Sequence, residues 1–329
     1  MKKTLLMIAA AFAFVACSND ETILQAQPEA IGFDNAFIEN STRSVYEPTD
    51  TKIFSDFAVY GFVEGAVLFD GTQVSKDITN GDLKSDWKYA GTQYWIAGAK
   101  YNFNAVAPMT DGGWTKTDAT KDATTLSFTN NGTTDLLYAY ATAEGQAEGN
   151  DAVAFTFRHV LSKVKFTFKN EYNATNATIG DKDIKITDAY ETGSVVLSDV
   201  STWSSQAGTL ELAFGNAAVT SANTEEAFGY SKSVESYNEL LLIPGAGPTV
   251  VDGKKTYTVT FTVDLLVSGT LVKSYTHTIN AAFIPEAGNS YNLTATINAE
   301  NIDPKHEQEP IEFTVNTLPG WGTTNDQNI

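Results

Sequence analysis

The chain has 329 residues, 21 basic against 40 acidic, an apolar fraction of 42% and one cysteine. A formal charge of −19 argues against nucleic acid or anionic lipid as a partner, since both would repel such a surface. A lone cysteine excludes an intramolecular disulfide framework, so burial and hydrogen bonding alone must hold the fold.

Met1-Lys2-Lys3 supplies a positive end, and residues 4–15 form an apolar run too short to persist as a membrane-crossing helix. Residues 1–16 are therefore expected to be a removable export signal. Phe14-Val15-Ala16-Cys17 fits a lipobox, in which a small residue precedes a cysteine whose sulfur takes a diacylglycerol before cleavage. Cys17 is the expected lipid-bearing start of the mature chain, whose charge balance becomes 19 basic minus 40 acidic, −21, once Lys2 and Lys3 are lost. Residues 17–29 are polar and acidic without periodicity, and read as a tether. No later apolar run approaches about 18 residues, so contact with the outer membrane is expected through the lipid.

From residue 30 onward, short alternating segments rich in Val, Ile, Thr, Tyr and Phe are punctuated by Gly, Asn, Asp, Ser and Thr. This is the pattern of an all-β protein. The first candidate strand, residues 31–38, carries Ile31, Phe33 and Phe37 on one face. Asn40-Ser41-Thr42-Arg43-Ser44 follows, polar and turn-like. Arginine occurs only twice, at Arg43 and at Arg158, and Arg158 lies in a strand pattern whose ladder would protect it. An arginine-specific protease acting on the folded protein should therefore cut after Arg43 and leave Ser44 as the new start. The competing reading is an ordinary exposed arginine.

Phe57-Ala58-Val59-Tyr60-Gly61-Phe62 and Tyr101-Asn102-Phe103-Asn104-Ala105 are further strands. Between them Trp87, Tyr89, Tyr94 and Trp95 crowd around Gly91-Thr92, either as core residues or as an exposed platform for stacking on sugars. Across residues 154–168 the apolar positions pass from odd (Phe155, Phe157, Leu161) to even (Val164, Phe166, Phe168). Strict alternation along a strand means that this switch needs a bulge or a change of sheet. The expected boundary lies there, giving one β-sandwich at 30–162 and a second at 163–329, in keeping with domains of about 100–150 residues. The clearest hairpin rises through Tyr257, Val259, Phe261, Val263, Leu265 and Val267, turns at Ser268-Gly269 and returns through Leu271, Lys273, Tyr275, His277 and Ile279. Tyr291-Asn292-Leu293-Thr294-Ala295 is another strand. The last, with Ile311, Phe313 and Val315, follows a polar stretch at 298–310 containing Pro304 and Pro310. That spacing would let it dock away from its own domain as a donor strand; a long surface loop before an ordinary final strand is the alternative.

Catalytic signals are weak. His159, His277 and His306 show no metal-ligand spacing, and there is no nucleophile elbow, phosphate-binding glycine loop or cysteine nucleophile. Ser85-Asp86-Trp87-Lys88 matches a Ser-x-x-Lys pattern but lacks the helical context and partner motifs of acyl-transfer sites. Asp181-Lys182-Asp183, and Asp303 with Glu307, read as solvated charges rather than a cation site. Neither an enzyme activity nor a cofactor or metal is expected.

In order along the chain, these pieces resemble the fimbrillin, or type V pilin, lipoproteins of Bacteroides-type bacteria. The resemblance rests on Cys17 with its acidic follow-on, Ile31-Gly32-Phe33 before Ser41-Thr42-Arg43, Asp56-Phe57-Ala58-Val59-Tyr60-Gly61 and Trp87-Lys88-Tyr89 before Gln93-Tyr94-Trp95. It continues through Lys100-Tyr101-Asn102-Phe103-Asn104-Ala105, Phe157-Arg158-His159 leading to Leu161-Ser162-Lys163-Val164, Leu241-Leu242-Ile243-Pro244, and Ile311-Glu312-Phe313 followed by Trp321. It implies two tandem transthyretin-like β-sandwiches and a structural or adhesive role in surface fimbriae. It further implies that an arginine-specific protease, cutting between Arg43 and Ser44, removes the strand holding Ile31, Phe33 and Phe37. A strand such as that of Ile311, Phe313 and Val315 from a neighbouring pilin subunit would then fill the groove. The partners so implied are other pilin subunits, the protease, the outer membrane through Cys17, and a host or bacterial surface receptor. The alternative from another class is a surface lipoprotein that captures glycans, which requires the rings at Trp87, Tyr89, Tyr94 and Trp95 to be exposed.

Overall fold

Period-two alternation governs the sequence, and the computed structural model is built almost entirely of strands. It describes residues 28–38, 55–76, 78–79, 82–83, 87–171, 177–217, 220–221, 232–236, 238–302 and 311–318. The first strands are Phe33–Ile38 (β1), Asp56–Val63 (β2), Ala66–Ser75 (β3), Ile78–Thr79 (β4), Asp82–Leu83 (β5), Lys88–Tyr89 (β6) and Lys100–Ala107 (β7). Then come Trp114–Ala119 (β8), Thr124–Thr129 (β9), Leu137–Glu144 (β10), Val153–His159 (β11), Ser162–Asn170 (β12), Ala177–Ala189 (β13), Thr192–Leu197 (β14) and Thr202–Ala207 (β15). The remainder are Leu210–Gly215 (β16), Thr220–Ser221 (β17), Lys232–Glu235 (β18), Leu240–Leu242 (β19), Thr249–Val251 (β20), Lys254–Val267 (β21), Thr270–Ala281 (β22), Ser290–Ile297 (β23) and Phe313–Leu318 (β24). One helical turn, Ala299–Ile302, interrupts them.

The first half forms a seven-stranded sheet in the order β1-β11-β10-β7-β2-β3-β6. Its ends meet, because Ala30, just before β1, bridges Tyr94, just after β6. Phe57 and Val59 of β2 face an aromatic core with Phe33, Phe69, Phe103, Phe155 and Phe157. The intervening Ala58, Tyr60 and Phe62 face a second cluster with Phe128, Tyr138, Val195 and Leu197. Burial on both faces is why β2 reads as a near-continuous apolar run rather than a clean alternation.

What covers the outer face is a four-stranded sheet in the order β15-β14-β9-β8. Here β14 pairs with β9 across more than sixty residues of sequence, Thr192 opposite Thr129 and Leu197 opposite Thr124. The hairpin of β14 and β15 thus belongs to the second half of the sequence and completes the first.

The second half is a sandwich of two sheets. One runs β18-β12-β23-β24 with β19 beside β12, and the other runs β16-β13-β21-β20 with β22 beside β21. Val164, Phe166 and Phe168 of β12 meet Val259, Phe261 and Val263 of β21 between them. The parity switch near Ser162 is a change of sheet: β11 is the last strand along the chain to join the seven-stranded sheet, and β12 is the first to join this one. The hairpin of β21 and β22 turns at Ser268 (φ 49°) and Gly269 (φ 76°), the paired left-handed residues of a type I′ turn. Its tip outruns the core, so Leu271 and Val272 are exposed although Tyr275 is buried.

Candidate strand-exchange groove

The strand β1 ends its sheet and pairs with β11 in parallel, Phe33 opposite Val153 and Asp34 opposite Ala154. Ile31 and Phe33 are 1% and 4% exposed. The Phe33 ring stacks on Phe155 at 5.8 Å and meets Tyr89, Phe69, Phe103 and Phe57 edge-on at 5.4–6.4 Å. A strand at the margin of the sheet therefore fills the centre of the aromatic core.

Residues 29–31 are held from both sides. The Ile31 N–H donates to the Gln93 carbonyl at 2.8 Å, and the Trp95 N–H donates to the Glu29 carbonyl at 2.9 Å. The Tyr89 hydroxyl donates to the Ile31 carbonyl at 2.7 Å, and the Val153 N–H to the Gly32 carbonyl at 2.8 Å. Asn150 donates its backbone N–H and its side-chain amide to one Glu29 carboxylate oxygen, at 2.8 and 2.9 Å. These bonds favour the charged form and hold Glu29 below its ordinary pKa, the Asn150 backbone bond foremost. Glu29 lies at the end of the polar tether in sequence, and nothing local to it or to Asn150 announces a contact 121 positions away.

Beyond Asp34 the register shifts by one residue, so Phe37 lies opposite Thr156 and Ile38 opposite Phe157. Thr156 is exposed and Phe157 buried. The backbone register thus carries a one-residue bulge between Asp34 and Phe37. Cys17, Arg43 and Ser44 lie outside the described residues. The strand β2 starts at Asp56, whose carboxylate accepts from the Met109 and Thr110 N–H groups, the Thr110 hydroxyl and Gln73. Burial pushes the Asp56 pKa up, and these bonds outweigh it and leave the carboxyl below its ordinary value.

At the other end, β24 pairs antiparallel with β23 at a sheet margin, Phe313 opposite Ala295 and Val315 opposite Leu293. Ile311 is buried, whereas Phe313 and Val315 are half-buried. The Phe313 ring meets Phe166, Phe261 and Phe168 at 5.4, 5.9 and 6.4 Å. The terminal strand is thus seated on its own lobe in this structure.

The aromatic cluster at 87–95 is not a platform. Trp87 and Trp95 are buried, with Trp87 against Phe57 at 4.9 Å and Trp95 against Tyr101 at 4.7 Å, and Tyr89 packs on Phe33 and Phe69. Only Tyr94 of the four is open, at 50%.

The titratable groups do not converge. His159 Nδ1 lies 2.6 Å from Asp135, and Arg158 lies over the Tyr138 ring. Both Arg158 and His159 line a crevice of about 600 Å³ with Trp203, Gln206 and Glu286. His277 stacks on Phe261, and burial pushes its pKa down. His306, Asp303, Glu307, Ser85 and Asp86 lie outside the described residues. Among the described residues no three His, Cys, Asp or Glu side chains come together as a metal site. The reading of Asp181 as a solvated charge is corrected: it is buried with Asn170 at 3.4 Å, and burial pushes its carboxyl up to about 7. A register shift between Lys182 and Lys185 explains this, since Ile179 and Asp181 point inward before it and Ile184 and Ile186 after it. Lys182 pairs instead with Asp264 at 2.5 Å, and Asp183 takes φ 53°.

The profile of the fimbrillin-like family matches residues 42–317. The chain belongs to the fimbrillin-like family. Membership points to a fimbrial or adhesive subunit at the cell surface rather than to an enzyme. No curated protein matches the sequence significantly. Among solved structures, a candidate cell adhesion protein of Bacteroides uniformis is 16% identical, with 82% of this chain and 93% of that one covered and a TM-score of 0.46. One from Bacteroides eggerthii is also 16% identical, with 89% and 94% covered and a TM-score of 0.48. The fimbrial anchor protein Mfa2 of Porphyromonas gingivalis is 13% identical over 90% and 98% of the two chains, with a TM-score of 0.36.

Proposed function

We propose that this fimbrillin-like chain is a pilin subunit, delivered to the outer membrane on a lipid at Cys17 and joined to its neighbours by strand exchange after cleavage between Arg43 and Ser44. Two transthyretin-like sandwiches divided near residue 162, with the hairpin of β14 and β15 reaching across, form its body. Its partners are other pilin subunits, the arginine-specific protease and, for an adhesive member, a surface receptor.

The position of β1 carries this reading. It is an end strand, so it can leave without breaking the rest of its sheet, yet it supplies Ile31 and Phe33 to the core. Its departure would free the N–H groups of Val153 and Trp95 and the Gln93 carbonyl, and open an apolar slot lined by Phe57, Phe69, Phe103 and Phe155. An incoming strand would recover both the ladder and the burial, at about 1.5–3 kcal/mol per large side chain. Glycan capture lacks its platform, because Trp87 and Trp95 are core residues.

Purified precursor treated with an arginine-specific protease should assemble into oligomers resistant to mild detergent. Monomers that persist after a complete cut at Arg43 would refute strand exchange. Amino-terminal sequencing of protein from intact fimbriae should read from Ser44; a lipid-blocked Cys17 would instead mark a retained anchor.

A further inference from the structure

The pattern Glu-x-Ile-x-Phe occurs twice in the 329 residues, as Glu29-Ala30-Ile31-Gly32-Phe33 and as Glu309-Pro310-Ile311-Glu312-Phe313. Both copies lead into a strand at the margin of a sheet, β1 and β24. In the first copy each position has a defined environment, against which the second can be compared.

The carboxylate of Glu29 accepts two bonds from Asn150, and a glutamate at the same position can do the same. Ala30 forms the bridge to Tyr94, but the bonds flanking that bridge are made by Glu29 and Ile31. Proline, which has no N–H, therefore loses no ladder bond there. Ile31 is matched by isoleucine. A Cβ built on Gly32 would meet the Ala152 Cβ at 3.5 Å, an ordinary contact, so the backbone there does not demand glycine. Phe33 is matched by phenylalanine. The seats also differ in depth: Phe313 is half-buried among three rings on its own lobe, whereas Phe33 is 4% exposed among five. Exchange would bury the Phe313 ring more completely than its present position does.

We propose that the terminal strand of a second copy of this chain enters the vacated groove as a replica of the strand it replaces, in the same direction and register, with Ile311 in the seat of Ile31 and Phe313 in that of Phe33. The inference rests on the strand-exchange reading and adds the register and the residues that set it. Glu309 takes over the Asn150 contacts, and the donor runs parallel to β11, with Phe313 opposite Val153 and Thr314 opposite Ala154. Because the copies are in one chain, the preferred donor for this groove is another molecule of the same protein.

Cross-linking at solvent-facing positions tests the register without disturbing either core. In a Cys17→Ser background, precursor carrying Thr314→Cys is mixed with precursor carrying Ala152→Cys, Ala154→Cys or Thr156→Cys, cut with the arginine-specific protease and oxidised. Side chains at 152, 154 and 156 are all exposed. Two residues along a strand move a cysteine by about 6.6 Å, beyond disulfide reach. A linked dimer is expected with Ala154→Cys and its loss with the other two. Oligomers that link only at 152 or 156 would overturn the register and leave strand exchange standing. A complete cut with no oligomers would overturn both. As a second measurement, a peptide of residues 308–318 added during cleavage should cap the groove and stop assembly, and its Phe313→Ser form should not; equal capping by both would overturn the seating of Phe313.

Discussion

Replacing Phe33 with alanine would remove a ring that touches five others while leaving the backbone pairing of β1 to β11 in place. A phenylalanine truncated in a close-packed core costs about 3–5 kcal/mol, part transfer free energy and part cavity. At about 2–4 °C per kcal/mol for a body of this size, the melting transition of uncut precursor should fall by about 6–20 °C. Calorimetry on the precursor reads this directly. Phe33 precedes Arg43, so the cut removes the substituted residue, and the processed chains from variant and parent have identical sequences. The difference should therefore vanish once the cut protein is freed of its N-terminal fragment, and the variant should oligomerise faster because its strand leaves more readily. A shift below about 1 kcal/mol in the precursor would mean that the ring does not hold the core. A cut fragment that stays bound to the body, with the difference in melting retained, would mean that the strand does not leave.

Two substitutions test the rest of the body. The native Asp181 carboxyl, raised to about 7 from an ordinary value near 4, holds its proton more tightly than in the unfolded chain. Between about pH 4 and 7 the native state then binds more protons, so this group makes stability fall as pH rises through that window. Asp181→Asn should remove that slope, gaining on the parent in urea denaturation between pH 5 and 8; parallel curves would refute the assignment. Asn130, 2% exposed, donates to the Leu241 carbonyl at 3.0 Å and accepts from the Gly132 N–H at 2.9 Å. Asn130→Ala should cost about 1–3 kcal/mol, read as a lower urea midpoint at an unchanged slope, and a midpoint unmoved would show that the bonds are dispensable.

Strands whose two faces differ were legible from the sequence, and those set by distant partners were not. The run from Tyr257 to Leu265 alternates, and its turn at Ser268-Gly269 has the residues a type I′ turn needs, so that hairpin could be read directly. The switch at Ser162 was equally visible as a change of buried parity, which a bulge or a change of sheet could produce, and the strands on its two sides lie in different sheets. Nothing in Thr192–Leu197 names Thr124–Thr129 as its partner, since pairing depends on where the chain has been carried in between. The bulge after Lys182 shifts alternation by one position, which hid the burial of Asp181. For the groove, Ile31 and Phe33 were visible as one apolar face, whereas the Asn150 clamp depends on tertiary approach. The rings at 87–95 suited a core better than a surface, and the burial of Trp87 and Trp95 agrees with the core reading.

The reach of the β14–β15 hairpin into the earlier half sets an order on the birth of the molecule. As the chain is made from its amino end, Leu126 and Phe128 emerge long before Val195 and Leu197, which cover them, and before Leu241 and Ile243, which close the same cluster. Until then β9 has no partner on the side where β14 will lie, and an open strand edge invites wrong pairings. A chain interrupted before residue 207 would therefore lack the cover of its first lobe even though every residue of the groove had already been made. The cover of the earlier lobe is thus tied to synthesis of a segment that belongs to a different cluster from the Phe33 core, so an unfinished chain carries a complete set of groove residues inside an incomplete fold.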